Sequence, residues 1–167
     1  MPEPAYMTIT VDGSSITEGA LGEDSVGNYS KPDQEGKCLV QAFEHSVHKP
    51  TDDQSGQVSG PRQHRPCVVT KLVDKVSPVL YENMCHGKIC EEVLIEFYRT
   101  DKQGTTEPYY TVTLKEAVIV DMRTYIPNCL DPVNSQLAHL EEVSFSYKAI
   151  DWEHTAASTQ GSDAWGE

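Results

Sequence analysis

The stretch EVLIEFYRTDKQGTTEPYYTVTLKEAVIVDM, residues 92–122, decides the fold of this chain. Val93, Ile95 and Phe97 alternate with residues that point to the opposite face, which is the pattern of a strand buried mainly on one side. A turn at residues 101–104 separates this strand from a second run with the same period. No group of residues in the stretch is arranged for catalysis. The sequence therefore predicts a β protein whose long strands either close into a barrel or offer their edges to neighbouring molecules.

Further strands are expected on both sides of this hairpin. Their positions are Ala5–Val11, residues 38–47, residues 67–74 and a last strand that begins at Leu140. In the last strand the apolar positions slip by one residue near Lys148 and Ala149, which predicts a β-bulge that bends the strand. Residues 19–36 are rich in turn-forming residues, and we expect a short strand within them at Glu23–Val26.

One short helix is predicted from Ser77 and Pro78. Ser77 is placed at the N-cap, where its hydroxyl oxygen accepts a hydrogen bond from a free amide, and Pro78 at the first helical position, where no donor is needed. Val76 and Tyr81 are expected to pack together across the start of the helix, and Gly87 to end it. Because about two to three turns are too few to be stable alone in water, the helix is expected to flank the sheet.

The length and composition limit the number of domains and the possible locations of the protein. At 167 residues a single domain is expected, with residues 1–155 forming the folded body and residues 156–167 a flexible acidic tail. No apolar run approaches the roughly 20 residues of a membrane helix, so membrane insertion is not expected. The N-terminus lacks the basic and apolar segments of a secretory signal, and we expect synthesis in the cytoplasm.

Charge and cysteine content narrow the possible partners. Acidic residues outnumber basic residues by 26 to 13, and the formal net charge is −13. A surface with this balance repels phosphate groups, so nucleic acid and anionic lipid are not expected to bind. The five cysteines are odd in number and scattered along the chain, and we interpret them as reduced and mostly buried thiols.

Residues 48–66, which we call the arm, contain three prolines and two glycines and are too long for a routine hairpin turn. A loop of this length is uncommon unless it has a function, although a mobile surface insertion is the simpler alternative. The other interpretation is a segment that reaches over an adjacent molecule. Its charged residues are then Asp52 and Asp53 near the tip and Arg62, His64 and Arg65 on the return limb.

Candidate chemical groups are few. The possible zinc ligands fall into two sets, Cys85, His86 and Cys90, and His45 and His48. Both sets are weak, because no paired Cys-x-x-Cys is present and the two histidines of the second set would point to opposite faces of a strand. The adjacent glutamates at 91–92 and 141–142 also project oppositely and cannot act together as acid and base. No catalytic, cofactor-binding or metal site is predicted, and an enzyme is not expected.

Eight short strings occur along the chain in an order that is typical of one protein family. They are EDSVGN (23–28), VQAFEH (40–45), DKVSPVL (74–80), YRT (98–100), YYT (109–111), NCLDP (128–132), HLE (139–141) and GSDAW (161–165). On these strings, which span nearly the whole chain, the sequence resembles the haemolysin-coregulated proteins. The helix at residues 79–86 and the cysteines at 38, 85 and 90 depart from the pattern of that family.

The resemblance implies the tube component of a bacterial type VI secretion system. Such a subunit is an antiparallel β-barrel with one short flanking α-helix and a long extended loop, and six copies form rings that stack inside a contractile sheath. The implied partners are further copies of the chain, sheath and spike proteins, and effectors carried in the ring lumen. The tube assembles in the bacterial cytoplasm and is then secreted without a cleaved signal peptide. The resemblance also assigns the arm to packing between subunits and stacked rings.

Two other classes of function stay open from the residues alone. A monomeric β-barrel that binds a ligand in its interior is the main alternative, and a zinc enzyme is the third. If rings form, we expect Asp52, Asp53, Arg62 and Arg65 to set the register of stacking more than its strength. Exposed ion pairs contribute only about 0–1 kcal/mol each and are screened by salt.

Overall fold

Residues 2–165 are described by a computed structural model of the protein. The strands are β1 (Ala5–Val11), β2 (Ser14–Ser15), β3 (Cys38–Glu44), β4 (Val47–His48), β5 (Gln63–His64), β6 (Cys67–Leu72), β7 (Cys90–Thr100), β8 (Thr106–Tyr125), β9 (Leu140–Ser146), β10 (Ala149–His154) and β11 (Thr159–Ala164). The helices are α1 (Glu23–Val26) and α2 (Ser77–Cys85), with 3₁₀ turns at Gly27–Tyr29, Pro32–Gln34 and Pro132–Asn134. The protein is therefore mainly β, as predicted.

Six of these strands form a closed antiparallel ring. In spatial order they are β8, β7, β1, β3, β6 and β9, and β9 pairs again with β8. The ring closes because β8 is long: its first part pairs with β7, and its second part, from Val118 to Tyr125, pairs with β9. The predicted antiparallel barrel is confirmed.

β7 and β8 form the hairpin that the period-two pattern predicts. Val93 and Ile95 are fully buried, whereas Glu96 on the other face is partly exposed. The turn begins at Asp101, whose Oδ1 accepts hydrogen bonds from the backbone N–H groups two and four residues further on, at 2.8 and 2.9 Å. A side-chain acceptor in this position stabilises the turn and so sets the register of the two longest strands.

Apolar side chains from all six strands fill the interior of the barrel. Buried examples are Met7, Val40, Val69, Ile95, Leu114 and Phe145. Leu80 of α2 packs into the same cluster, which confirms that the helix flanks the sheet. A ligand inside the barrel would have to displace these side chains.

The start of α2 differs from the prediction by one residue. Ser77, the predicted N-cap, is the first helical residue, and Pro78 is the second. The Ser77 hydroxyl does not cap the helix, because it accepts a hydrogen bond from the Asp74 N–H at 3.1 Å and donates one to Glu141 Oε1 at 2.6 Å. Gly87, with a φ of 64°, follows the end of the helix as predicted.

The short strand predicted at Glu23–Val26 is wrong, because these residues form α1. The Val26 N–H donates to the Gly22 carbonyl at 3.1 Å, and Gly27 leaves the helix with a φ of 59°. Local hydrogen bonds thus replace the cross-strand bonds that a strand would need. No helix within residues 2–165 has the length and apolar character required to span a bilayer.

The last predicted strand is divided into β9 and β10. Tyr147 and Ile150 are both buried, which confirms the slip in the apolar phase. The β-bulge predicted near Lys148 is wrong, because β9 and β10 pair with β8 in one register across the break. Opposite the break, Glu116 of β8 adopts a left-handed φ of 49°. At this point the buried positions shift by one residue both on β8 and on the segment of β9 and β10 that pairs with it. The register shift in this ladder lies on β8, at Val120.

The C-terminal segment forms a strand where the sequence predicts a flexible tail. β11 pairs antiparallel with β10 along its whole length, from Ala164 opposite Ala149 to Thr159 opposite His154. The prediction is therefore wrong for residues 159–164, while residues 166–167 lie outside the described residues. The polar composition concealed this strand, because its pairing depends on backbone groups rather than on a buried apolar face.

Candidate functional site

The arm is a β-hairpin rather than a structureless loop. β4 and β5 pair antiparallel at its base, and a bridge between Thr51 and Val58 extends the pairing toward the tip. All residues from 51 to 59 are exposed. This geometry favours an extended arm over a mobile insertion.

Asp52 holds the turn at the tip of the arm. Its Oδ1 accepts hydrogen bonds from the backbone N–H groups of Gln54 and Ser55, at 2.8 and 3.0 Å. The bond from Ser55, followed by that from Gln54, holds the pKa of the Asp52 carboxyl below its usual value. Asp53 beside it is exposed. The tip therefore presents two negative charges on a fixed turn.

The return limb of the arm shows the alternation of a strand. Arg62 and His64 are partly buried, whereas Gln63 and Arg65 between and after them are exposed. Arg62 and His64, which were predicted to contact another molecule, therefore turn toward their own chain. Arg65, the third such residue on this limb, faces solvent.

Arg62 and His64 converge on Asp163 in β11. Arg62 forms a forked pair with the Asp163 carboxylate, in which Nη2 lies 2.8 Å from Oδ1 and Nε donates to Oδ2. Arg62 Nη2 also donates to the backbone carbonyl of Ala164 at 2.7 Å. His64 Nε2 lies 2.6 Å from Asp163 Oδ2. The hydrogen bonds from Arg62 and then His64 hold the pKa of Asp163 well below its usual value, so the carboxylate stays charged.

The hydroxyl of Tyr147 extends this network toward the barrel. His64 Nδ1 lies 2.6 Å from the Tyr147 oxygen, and His45 Nε2 lies 2.7 Å from it. Because the Asp163 carboxylate only accepts, His64 donates to it from Nε2. The His64 Nδ1 then accepts the phenolic hydrogen, and His45 donates to the phenolic oxygen. Burial raises the pKa of Tyr147, which keeps this hydrogen in place. We call Arg62, His64, Tyr147 and Asp163 the clasp.

Aromatic rings surround His64 and shield it from water. The His64 ring lies nearly parallel to Trp152 at a centroid distance of 6.5 Å, and Trp165 lies 5.3 Å away on a tilted plane. The His64 side chain is only 3% exposed. Burial, followed by the electrostatic effect of the neighbouring His64, lowers the pKa of His45. Hydrogen bonds in such a setting are stronger than the same bonds in water.

The structure brings Arg62 and His64 together and leaves the other three predicted arm residues exposed. Tyr147 and Asp163, which complete the clasp, were not predicted. They lie about 80 to 100 residues further along the chain from the arm residues that they bind. The period-two pattern of the return limb is the signal that could have separated inward from outward side chains.

A second polar cluster is buried between β6, α2 and β9. Lys71 Nζ lies 3.2 Å from Asp74 Oδ1 and also donates to Glu141 Oε1. The Ser77 hydroxyl, 3.2 Å from the same nitrogen, joins the helix to this pair. Burial disfavours the charged ammonium, but the two carboxylates outweigh this effect and the pKa of Lys71 is raised. The cluster is inaccessible to solvent and serves to fix α2 to the barrel.

Apolar side chains are exposed in the segment between β8 and β9, which we call the apolar loop (residues 126–137). They are Ile126 (65% exposed), Leu130 (88%), Val133 (84%) and Leu137 (47%). Apolar groups gathered on one exposed segment are typical of a surface that contacts another molecule.

All five cysteines are free thiols. Cys38, Cys67 and Cys90 are buried, and Cys85 and Cys129 are exposed. Within residues 2–165 no group of three or more His, Cys, Asp or Glu side chains is placed to bind a metal ion. The set of Cys85, His86 and Cys90 is therefore not gathered into a metal site in the described part of the chain.

Two sequence comparisons relate this chain to known proteins. A family profile described as "Type VI secretion system effector, Hcp" matches residues 6–154. A protein of Pseudomonas aeruginosa named "Major exported protein" is 47% identical over 166 residues, which cover 99% of this chain and 96% of that protein. The region aligned with this protein thus spans the positions of the arm, the clasp and the apolar loop.

Solved structures give the same relationship. The structure described as "Crystal structure of Hcp protein" superposes with a TM-score of 0.94 at 37% identity and covers 99% of both chains. "Secreted protein Hcp3 from Pseudomonas aeruginosa" gives a TM-score of 0.81 at 40% identity, covering 98% of this chain and 99% of that chain. These findings confirm the resemblance read from the sequence. The chain belongs to the Hcp family of type VI secretion system proteins.

Proposed function

We propose that this chain is a tube subunit of a type VI secretion system, in which six copies form a ring and rings stack into the expelled inner tube. The strongest support is the TM-score of 0.94 to a solved Hcp structure over 99% of both chains. Such agreement along the whole backbone supports a mode of assembly shared with the Hcp family. Closed rotational symmetry then requires each subunit to present two complementary surfaces.

The filled barrel and the exposed apolar loop favour assembly over ligand binding in a monomer. Buried side chains from six strands occupy the interior, which leaves no open lumen within one subunit. Leu130 and Val133 instead expose nearly their whole side chains to solvent. We propose that a neighbouring subunit covers this loop in the assembly, because burial of apolar surface is the main favourable contribution to association.

Light scattering on the purified protein tests this assembly. The wild-type protein is expected to show the mass of six chains, and the double variant Leu130→Ser with Val133→Ser to shift toward smaller species. Val58→Ser, which changes an apolar residue that is 60% exposed on the arm, is the control and is expected to keep the ring mass. A wild-type mass of one chain at tens of micromolar would instead support the monomeric ligand-binding alternative.

The arm is proposed to contact the next ring through its exposed charges. Asp52 and Asp53 at the tip and Arg65 at the root remain accessible, whereas Arg62 and His64 are engaged within the chain. Reversal of one tip charge with Asp53→Lys is expected to reduce the stacking of rings in a pelleting assay and to leave the mass of single rings unchanged. Stacking is also expected to weaken as salt is raised, because exposed ion pairs are screened.

Export and cargo follow from the same assembly. We propose that the tube assembles in the bacterial cytoplasm, contacts sheath and spike proteins, carries effectors in the ring lumen, and leaves the cell without a cleaved signal peptide. The names of two similar proteins, "Major exported protein" and "Secreted protein Hcp3", support export. Deletion of the sheath gene should stop the appearance of the protein in culture medium; continued export would contradict this route. No enzymatic step and no cofactor are part of the proposal.

A further inference from the structure

We infer that Asp163 is a positioning residue for the arm: through Arg62, His64 and Tyr147, β11 holds the arm at a fixed angle to the barrel. The inference rests on the proposed function only for what the arm contacts. The contacts that fix the arm belong to one chain and can be tested without any assembly.

The arm is weakly anchored by its own backbone. β4 and β5 contribute two paired residues each, and the next pairing toward the tip is a single bridge. A two-stranded hairpin of this size is marginal in water unless it packs against other elements. Residues 51–59 are exposed and supply no such packing. A fixed direction for the arm therefore requires further contacts at its root.

The clasp supplies these contacts on the return limb. The forked pair between Arg62 and Asp163 fixes the plane of the guanidinium group, since two parallel hydrogen bonds specify orientation as well as distance. His64, which lies shortly before β6, is held on both ring nitrogens by Asp163 and Tyr147. With two of its side chains held at its root, the hairpin cannot rotate without breaking several hydrogen bonds at once.

The partner in these contacts is the last strand of the sheet. β11 pairs with β10 and ends the strand order on that side. The arm and β11 are therefore docked as one unit, although a hundred residues separate Arg62 from Asp163. If β11 detaches from β10, the arm should become mobile. If the clasp is broken, β11 should become less firmly paired with β10.

Hydrogen–deuterium exchange read by mass spectrometry tests the inference on the full chain. In Asp163→Asn, amides of β4, β5 and β11 are expected to exchange at least tenfold faster than in the wild-type protein, while β1 and β7 keep their rates. The control is Asp151→Asn, which makes the same chemical change on the adjacent strand β10, where the carboxylate pairs with Lys115 at 2.9 Å. It is expected to leave the exchange of the arm unchanged.

Two milder variants keep the test decisive if Asp163→Asn does not fold. Tyr147→Phe removes one hydroxyl, and Arg62→Lys keeps the charge but loses the forked geometry. Both are expected to accelerate exchange in the arm selectively, by a smaller factor than Asp163→Asn. Unchanged exchange in the arm, or equal acceleration of the arm and of β1 and β7, would overturn the inference.

A pelleting assay separates this inference from the proposed function. If both hold, Asp163→Asn rings keep the mass of the wild-type ring but stack less. If the wild-type protein forms no stacks, the proposed function fails, and the exchange result still decides the role of Asp163. If the arm is released in Asp163→Asn and stacking is unaffected, the arm is not the stacking contact, and its anchoring by the clasp stands.

Discussion

Lys71 lies in the interior of the protein with its ammonium group between Asp74 and Glu141. A charge in this position is tolerated only because its partners are also charged and hydrogen-bonded. We predict that Lys71→Met lowers the free energy of unfolding by about 3–5 kcal/mol, since it leaves two carboxylates buried without a cation. Glu141→Gln should cost less, because Asp74 still pairs with the lysine. Urea titration of both variants measures the difference, and equal losses would contradict this view of the cluster.

His45 makes the stability of the fold sensitive to acid. The pKa of His45 is lowered in the folded protein by burial and by His64. Below the ordinary value of about 6.5 the unfolded chain therefore binds a proton that the folded chain resists, so stability falls as the pH drops. Asp163, whose folded pKa is depressed, adds a loss of stability only below about pH 4, where its unfolded form becomes protonated.

Urea midpoints at pH 7.5 and 5.5 measure the contribution of His45. The wild-type midpoint is expected to be lower at pH 5.5, and His45→Gln to reduce this difference. His48→Gln, which changes an exposed histidine of the arm, should keep the wild-type difference. A midpoint that rises on acidification, or the same difference in His45→Gln, would contradict the assignment.

We predict that the rate at which each cysteine reacts with iodoacetamide depends on its burial. Burial raises the pKa of Cys67 to about 12 and that of Cys90 to about 11, so their reactive thiolate forms are scarce at pH 8. Cys85 and Cys129 are exposed and should be the two that react in the native protein. Peptide mapping is expected to show modification at all five only after denaturation. Rapid modification of Cys67 in the native protein would contradict the structure.

At the scale of the element, the β7–β8 turn depends on Gly104. This residue adopts a φ of 86°, and an added Cβ would meet no atom within 4 Å, so substitution introduces backbone strain without a clash. We predict that Gly104→Ala costs about 1–2 kcal/mol in unfolding free energy. Gly36→Ala is the matched control, because Gly36 has equal space and no left-handed φ, and its effect should stay within about 0.5 kcal/mol. Similar losses in both variants would show that the turn is not strained.

The elements were predictable wherever side-chain burial follows a period. β1, β7 and β8 carry alternating apolar residues, and their positions were predicted from that pattern. β11 was not predicted, because its TQGSDA sequence has no buried face and its pairing uses backbone groups alone. The segment at Glu23–Val26 was read as a strand because too few residues are present for a period to decide between helix and strand.

The site was predictable only in part. The arm and its charged residues stand out in the sequence, since proline, glycine and aspartate mark a long connection. The period-two pattern of the return limb places Arg62 and His64 on the same face, but knowing that this face turns inward requires knowing that β11 lies beside the arm. Contacts between residues about a hundred positions apart depend on the closed topology, which no local pattern encodes.

At the scale of the whole molecule, the net charge of −13 bears on assembly. In the proposed assembly, like-charged subunits repel one another, so we expect the attractive contacts to come from local surfaces such as the apolar loop and the arm. Moderate salt screens this repulsion and should therefore favour single rings. The same salt screens the ion pairs of the arm and should therefore disfavour stacks of rings. Sedimentation velocity between 50 and 500 mM NaCl, roughly the range over which the Debye length falls from 14 to 4 Å, measures both species. Loss of rings and stacks together with rising salt would contradict this division.

Electron microscopy of the purified protein tests the central claim most directly. A subunit of the inner tube should form rings with six-fold symmetry, each with about six times the 18.5 kDa mass of one chain, and rings should stack end to end at high concentration. Averaged end-on views showing six equivalent subunits around an open lumen are the predicted result. A field of single particles of one-chain size, without rings at any concentration tested, would contradict the account.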